Sequence, residues 1–350
     1  MTATDRAPAT ALSFCIPTFN RSSTVQALVR RVLQCDDPDI EVVVLDNGST
    51  DDTLSRLASI DDPRLSVHTN GSNRGVIFNI LHVLLKARGD YCCLLLDKDS
   101  VDPAGITAFK SFLQKERPAT GFCEYGPATG HVADLFEAGL PALRKVGYAC
   151  HHPSGYFFEA KRLRGLDIAT RFSDFDYVGH FPLDFMQAEL SLQGRAAVYH
   201  CDLFSPEQLT ATAKKSFGTH AGKEDAFFSP KGRLKMATNF SRHIARLPID
   251  GGQKRALITD RYLQGLITST LGYRRLLANE LICNHYHIAT RRVGLKETLS
   301  EAVGFHKGFM QGLSTDAPAR AMALSTTTIA LAFTWRAIGA LARRLARAWA

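Results

Sequence analysis

The stretch DYCCLLLDKDS, Asp90 to Ser100, decides how the chain is read. Its five consecutive apolar residues, Cys92 to Leu96, are too few for an ordinary helix and suit a strand buried on both faces. The run ends in two carboxylates, Asp97 and Asp99, with Lys98 between them. In an open α/β sheet the ligand crevice lies at the carboxyl ends of the strands, where these acids fall. Alternate residues of a strand share a face, so the spacing predicts that Asp97 and Asp99 meet one ligand while Lys98 points away. Two adjacent carboxylates repel each other unless a cation sits between them. Hard oxygen donors of this kind suit Mg²⁺ or Mn²⁺, with phosphate oxygens completing the shell. The alternative reading of the spacing alone is an acidic turn after a core strand.

The chain before this stretch alternates strand and helix. Leu12 to Ile16 is a short β run that stops at Pro17, and Thr18-Phe19-Asn20-Arg21 follows as a loop. A helix then starts at Ser22 or Ser23 as N-cap, with Val25, Leu28, Val29, Val32 and Leu33 at helical spacing. Ile40 to Leu45 is a second buried strand, ended by Asp46-Asn47-Gly48, and Ser49 or Thr50 is placed to cap the next helix. Leu65 to His68 is a third strand, and Val76 to Ala87 a helix apolar around most of its circumference. This order is that of a parallel doubly wound sheet. Beyond the organising strand, Pro103 starts a helix reaching about Lys115, and short β pieces follow at Gly121 to Tyr125 and Gly155 to Glu159. A helix opened by Phe181-Pro182-Leu183-Asp184 runs to Leu192, with Gly194 at its C′ position. Ala196 to Cys201 reads as a strand, and residues 235 to 315 as helical.

Composition narrows the class. Among 350 residues, 42 Lys and Arg exceed 34 Asp and Glu, which gives +8 and favours an anionic partner such as a nucleotide phosphate or lipid headgroup. No nucleic-acid-binding module is recognisable, which argues against nucleic acid as that partner. The eight cysteines include no C-x-x-C pair, and several sit in apolar strand-like runs, the pattern of a reduced, cytoplasmic protein. The N-terminal residues 1–11 read as a disordered tail with no signal-peptide pattern. Residues 319–350 read as a basic amphipathic helix, with Arg343, Arg344, Arg347 and Trp349 suited to the headgroup plane of an anionic membrane surface. Docking of that helix on the protein body is the alternative.

Four stretches together resemble the inverting family 2 glycosyltransferases: CIPTFNR (Cys15 to Arg21), VVVLDNGSTDDT (Val42 to Thr53), NRGVIFN (Asn73 to Asn79) and GDYCCLLLDKDSVDP (Gly89 to Pro103). The resemblance implies a GT-A fold, a Rossmann-like and mostly parallel sheet flanked by helices, over residues 12–205. A flexible basic loop (206–234), a helical C-terminal region (235–318) and the basic helix would follow it. It also implies transfer of a sugar from a nucleotide-sugar donor, with inversion, to a hydroxyl of a saccharide or lipid-linked acceptor in cell-surface polysaccharide or glycolipid synthesis. The enzyme would then be peripheral on the inner face of the membrane.

Residue by residue, the resemblance places Pro17, Thr18, Asn20, Arg21, Asp46, Asn47 and Asn73 around the donor nucleoside. The family's usual carboxylate is replaced at Asn47, whose amide oxygen would accept from the base instead. Asp97 and Asp99 match the D-x-D motif that holds the divalent cation and diphosphate. Asp184 occupies the place of the base that deprotonates the acceptor, with Asp174 and Asp176 as competitors and Leu183 where the family often has Glu. Ser154-Gly155 resembles the turn before the acceptor-binding strand, and His200 is placed to complete the metal shell or to serve a structural role. His220 and Lys223 lie on a loop that could cover the diphosphate. The cluster Cys283-Asn284-His285-Tyr286-His287 lacks zinc-ligand spacing. Two other classes compete. A nucleotidyltransferase would show a Gly-rich phosphate loop after the first strand, where CIPTFNR has none. A silent GT-A scaffold at a membrane would not need Asp97, Asp99 and Asp184 all in place.

Overall fold

The computed structural model describes residues 11–125, 132–179, 181–200, 202–207, 226–314 and 316–321. The chain divides into two compact units, Met1–Gln208 and Leu209–Ala350.

In the first unit, strands β1 (Leu12–Thr18), β2 (Ile40–Asp46), β3 (Leu65–Thr69) and β4 (Tyr91–Leu94) lie parallel in the order β3-β2-β1-β4. Helices α1 (Ser22–Val32), α2 (Thr53–Ala58) and α3 (Val76–Lys86) connect them. Every residue of β1, β2 and β4 is buried, which is why these strands read as mostly apolar runs. After β5 (Ser100–Val101) and α4 (Pro103–Glu116) come β6 (Thr120–Glu124), β7 (Ala133–Phe136), β8 (Tyr156–Glu159), β9 (Ala196–His200) and β10 (Phe204–Ser205). The sheet continues from β4 in the order β8-β6-β9-β7. β8 runs antiparallel to both β4 and β6, β9 is parallel to β6, and β7 closes the edge antiparallel to β9. The result is a mostly parallel, mixed sheet of eight strands. β10 pairs with β5 in a separate two-stranded ribbon. Short helices α5 (Leu140–Lys145), α6 (Ala160–Arg164), α7 (Ile168–Arg171) and α8 (Phe175–Val178) precede α9 (Pro182–Gln193).

The core gathers around Phe109 of α4. Its ring lies 5.5 Å from Phe157, 5.0 Å from Tyr199 and 6.4 Å from Phe204, the separations at which aromatic pairs gain beyond simple burial.

Local chemistry departs from the sequence expectation at four places. β1 runs through Pro17, which pairs with Leu45, because β4 pairs with β1 only as far as Cys15 and so asks for no amide there. Neither Ser22 nor Ser23 caps α1. Arg21 is the N-cap residue, and Asp51 from the neighbouring loop accepts from the Ser22 amide at 3.3 Å. Ser49 and Thr50 do not cap α2, which begins at Thr53 after Asp52, since the Ser49 hydroxyl is bonded to Asp46. Gly194 is extended (φ −170°) and no left-handed cap; a side chain there would meet Ala119 Cβ at 2.8 Å.

In the second unit, α10 (Pro230–Arg246) and α11 (Gly251–Ile267) are followed by a π-helical turn (Thr268–Gly272), α12 (Tyr273–Leu277), α13 (Glu280–Tyr286), α14 (Leu295–Ser314) and α15 (Ala317–Ala321). Ser229 and Asp250 cap α10 and α11 through side-chain bonds to Gly232 N and Gln253 N. Tyr262 packs against Phe305 and Phe309 of α14. The helical stretch is broken at 287–294, where His287 turns left-handed (φ 54°). No described helix is long and apolar enough to cross a membrane. All but the first few residues of the expected basic helix at 319–350, and the loop carrying His220 and Lys223, lie outside the described residues.

Arg64, just before β3, secures the exit of α1. Its guanidinium donates to the carbonyls of Leu33 (2.9 Å), Cys35 (2.5 Å) and Asp37 (3.2 Å) and to both carboxylate oxygens of Asp62. The first of these bonds satisfies the C-cap carbonyl of α1, and those to Cys35 and Asp37 satisfy carbonyls of the chain that leaves it. Arg64→Ala should cost about 2 kcal/mol in urea unfolding, because it strips partners from several half-buried groups at once. The Arg64 guanidinium holds the Asp62 carboxyl below its ordinary range. A carboxyl lowered on folding stabilises above its unfolded value, and that stability is lost as pH falls through the folded one. The penalty of Asp62→Asn should therefore shrink between about pH 5 and pH 2; a penalty independent of pH would show that the ion pair contributes nothing.

Candidate active site

The carboxyl ends of β1, β2 and β4 open onto one crevice, and the two aspartates of the organising stretch sit there. β4 ends at Leu94, so Asp97 and Asp99 occupy a turn and not the strand itself. Both are buried. Asp97 Oδ2 accepts from the Thr18 hydroxyl at 2.9 Å, and the Arg21 guanidinium lies 3.5 Å from Oδ1. Burial pushes the Asp97 carboxyl up to about 6, against the opposing pull of Arg21, Thr18 and Lys98. Asp99 goes the other way. Burial raises its carboxyl, but hydrogen bonds from His152 Nε2 (2.6 Å), the Ser154 hydroxyl (2.5 Å) and the Glu207 amide (2.9 Å) outweigh it and hold the group below the usual range. With Asp99 ionised, His152 Nε2 carries the proton of that bond. Lys98 lies 3.8 Å from Glu207, its charge directed to that carboxylate.

A ladder of amides shapes the rim of the crevice. Asn47, at the end of β2, donates through Nδ2 to Asn73 Oδ1 (2.9 Å) and Gly75 O (3.3 Å) and accepts through Oδ1 from Asn70 Nδ2 and the Arg74 amide, both at 3.0 Å. Asn70 also donates to Asn79 Oδ1, and Asn79 Nδ2 donates to the carbonyls of Thr18 and Leu45. All four hydrogen-bonding positions of the buried Asn47 amide are filled. The expected role of Asn47, receiving a base through its amide oxygen, gives way here to binding the loop 70–75 onto the strand ends. Asp46 is likewise engaged, accepting from the amides of Gly48 and Ser49 and the hydroxyls of Ser49 and Thr69. Asn20 is left-handed (φ 52°) and accepts from the Thr50 amide at 2.8 Å, which joins the two loops.

The remaining expected residues fall in two groups. Ser154-Gly155 joins the site. The Ser154 hydroxyl bonds Asp99 and accepts from the Leu96 amide, and Gly155 (φ +94°) donates to Leu94 O from a conformation that disfavours a side chain. Asp184, in the first turn of α9, is buried, and its Oδ1 accepts from the Cys150 amide (2.6 Å) and the Tyr156 hydroxyl (3.3 Å). Asp174 and Asp176 are exposed, and Asp174 accepts from the Asp176 amide. His200, the last residue of β9, is held between Glu124 at the end of β6 (2.7 Å) and Asp134 in β7 (3.1 Å), not beside Asp99. The imidazole on Asp99 is His152, which the sequence reading missed. Its signal was faint: a His-His pair two residues before Ser154. Tyr148 and Cys150 are both left-handed (φ 60° and 53°), a strained approach that costs on the order of 1 kcal/mol or more per residue and is found where the surroundings enforce it. Asp184 and Tyr156 supply that enforcement.

A sheet of this topology, with paired carboxylates where its fourth strand ends, is the frame of a GT-A glycosyltransferase. Residues 13–132 match the family model "Glycosyl transferase family 2", and the first unit has the GT-A fold. The chain is 28% identical over 111 residues to the abequosyltransferase RfbV of Salmonella typhimurium, across 30% of this chain and 33% of that protein. It is 31% identical over 93 residues to the GalNAc(5)-diNAcBac-PP-undecaprenol beta-1,3-glucosyltransferase of Campylobacter jejuni, across 26% of this chain and 30% of that one. The chain thus matches about a third of the length of these curated relatives. The crystal structure of residues 1–349 of S. aureus TarS superposes with a TM-score of 0.58 at 13% identity, over 87% of this chain and 81% of that one; TarS has also been crystallised with UDP.

The ladder makes a test of its own. Asn47→Asp keeps the shape but replaces a donor by a charged acceptor facing Asn73 Oδ1 and Gly75 O. It should lower stability by about 1–3 kcal/mol in thermal or urea unfolding. An unchanged midpoint would show that the amide bonds do not hold the rim.

Proposed function

We propose that the protein transfers a sugar, with inversion, from a nucleotide-sugar donor to a hydroxyl of a saccharide or lipid-linked saccharide. The observation that carries this reading is the buried Asp97–Asp99 pair at the end of β4, within the residues that match the family 2 model. The printed name of the Campylobacter relative, with its undecaprenol-linked acceptor, supports the acceptor class.

The donor set fits a divalent cation. Two desolvated carboxylates lie within one turn, and Asp97 is raised toward 6 because the surrounding positive charge does not offset its burial. No cluster of three or more His, Cys, Asp or Glu side chains is placed to hold a metal among the described residues, so two carboxylates and the donor's phosphate oxygens would make the shell. Mg²⁺ or Mn²⁺ held by Asp97 and Asp99 would supply Lewis-acid stabilisation of the departing diphosphate. Around it, His152 and Ser154 fix the orientation of Asp99, while Thr18 and Arg21 fix Asp97.

Asp184 is the base in this proposal. Cys150 touches Asp184 and His152 touches Asp99, so one short piece of chain anchors both carboxylates. The bond from Cys150 keeps the carboxyl oriented to take the hydroxyl proton.

Asp99→Asn retains the shape but removes a hard ligand, so transfer of radiolabelled sugar should fall at least a hundredfold; a folded variant with wild-type transfer and no response to EDTA would overturn the metal assignment. Asp184→Asn should leave Mn²⁺-dependent donor affinity unchanged by calorimetry while transfer drops by a factor of about 10² to 10⁴. If it transfers normally and Asp174→Asn or Asp176→Asn does not, the base lies in the loop before α8 or in its first turn.

A further inference from the structure

The positive charge of this chain is unevenly placed. Residues 1–208 carry 20 Lys and Arg against 26 Asp and Glu, and residues 209–350 carry 22 against 8, a net −6 and +14. Such asymmetry between halves marks a surface for an anionic partner.

The second unit also leaves an apolar stripe uncovered. On α14, Phe305, Phe309 and Leu313 are buried, facing inward, while Leu295, Leu299 and Val303 are 68%, 58% and 54% exposed. Steps of four residues put these three aliphatics on one face of the helix. Lys296 and Lys307 fall along one flank of that face, at about 100° and 120° from Leu295, whereas Glu297 and Glu301 fall at about 200° and 240°, on the far side. Arg291 is neutralised by Glu297 at 2.7 Å, but the exposed Arg292, Lys296 and Lys307 make no ion pair among the described residues. The π-helical turn packs against α14, and the half-exposed Ile267 at the end of α11 and Leu271 within the turn are joined, three and four residues after Leu271, by the exposed Arg274 and Arg275.

We propose that this face of the second unit, centred on Leu295, Leu299 and Val303, docks on an anionic lipid surface. Two features single out that occupant. Aliphatic side chains flanked by unpaired cations, with acids turned away, match an interface that is apolar within and negatively charged at its headgroups. A second copy of the chain would bring the same positive charge against itself, which charge repulsion disfavours. The surface is distinct from the basic segment near the C-terminus, and the inference stands whether or not the glycosyltransferase reading holds.

The test is sedimentation of the full-length protein with phosphatidylcholine vesicles, with and without phosphatidylglycerol. The wild type should bind only when phosphatidylglycerol is present, and less at high salt. Leu295→Ser/Leu299→Ser/Val303→Ser changes only exposed positions and should lower binding at least tenfold with an unchanged unfolding midpoint. Lys296→Glu/Lys307→Glu should do the same, and it tests the face even if the serine variant folds poorly. Arg343→Gln/Arg344→Gln/Arg347→Gln in the full-length chain should retain most binding. Wild-type sedimentation by both face variants overturns the proposal. So does loss of binding confined to the Arg343/Arg344/Arg347 variant. Light scattering that shows a wild-type dimer, broken by the serine variant, with no vesicle binding would reassign the face to self-association.

Discussion

Two carboxylates kept out of water on one turn set the terms for everything near them. Each charge that loses its hydration needs donors or cations in return, and the fold recruits them from distant parts of the chain. Asp97 draws on Thr18 at the end of β1 and on Arg21 at the start of α1. Asp99 draws on His152 and Ser154 before β8 and on the amide of Glu207 after β10. The compensation is unequal: Asp99 is held as a stable anion, while Asp97 remains short of positive charge. That difference gives the turn one carboxylate held firmly by its donors and a second whose charge is less well compensated.

The strand-and-helix frame was legible because burial on both faces leaves no ambiguity. LSFCIPT, IEVVVLD and YCCL are apolar for most of their length, with Ser13 and Glu41 as a bonded polar pair, and the two carboxylates after the last of them stood out as costly unless used. Details that depend on partners far along the chain were not legible. The cap of α1 comes from Asp51, and the exit of α1 is tied down by Arg64. Asn47 read as a ligand because the family resemblance puts it at the position of a base-binding carboxylate, yet its amide is spent on four protein partners. His200 was the imidazole that the sequence offered for the metal shell and His152 was missed; the register that sets His200 opposite Glu124 pairs it there, while His152 bonds Asp99. The second half of the sheet, with β8 inserted antiparallel between β4 and β6, carries no local signal of its order.

The two units also divide the physical labour. The acidic one holds the buried carboxylates and their donors, and the basic one holds the uncovered aliphatic stripe. Net composition hides this, since +8 over the whole chain is the residue of two larger and opposite balances.

The amide ladder at the crevice rim bears on how the protein ages. Asn47 and Asn70 are each followed by glycine, the neighbour that least obstructs attack of the next backbone nitrogen on the side-chain carbonyl, the first step of deamidation. In this fold both nitrogens are already committed: Gly48 N donates to Asp46 and Gly71 N to Thr69, each at 3.1 Å. The Asn47 amide is held through both its nitrogen and its oxygen, and that of Asn70 through its nitrogen by two bonds, which resists rotation toward the attacking atom. The bonds that give the crevice its shape therefore also slow a covalent change that would place a new negative charge beside it, and the chemical lifetime of the rim is tied to how seldom the loop 70–75 opens.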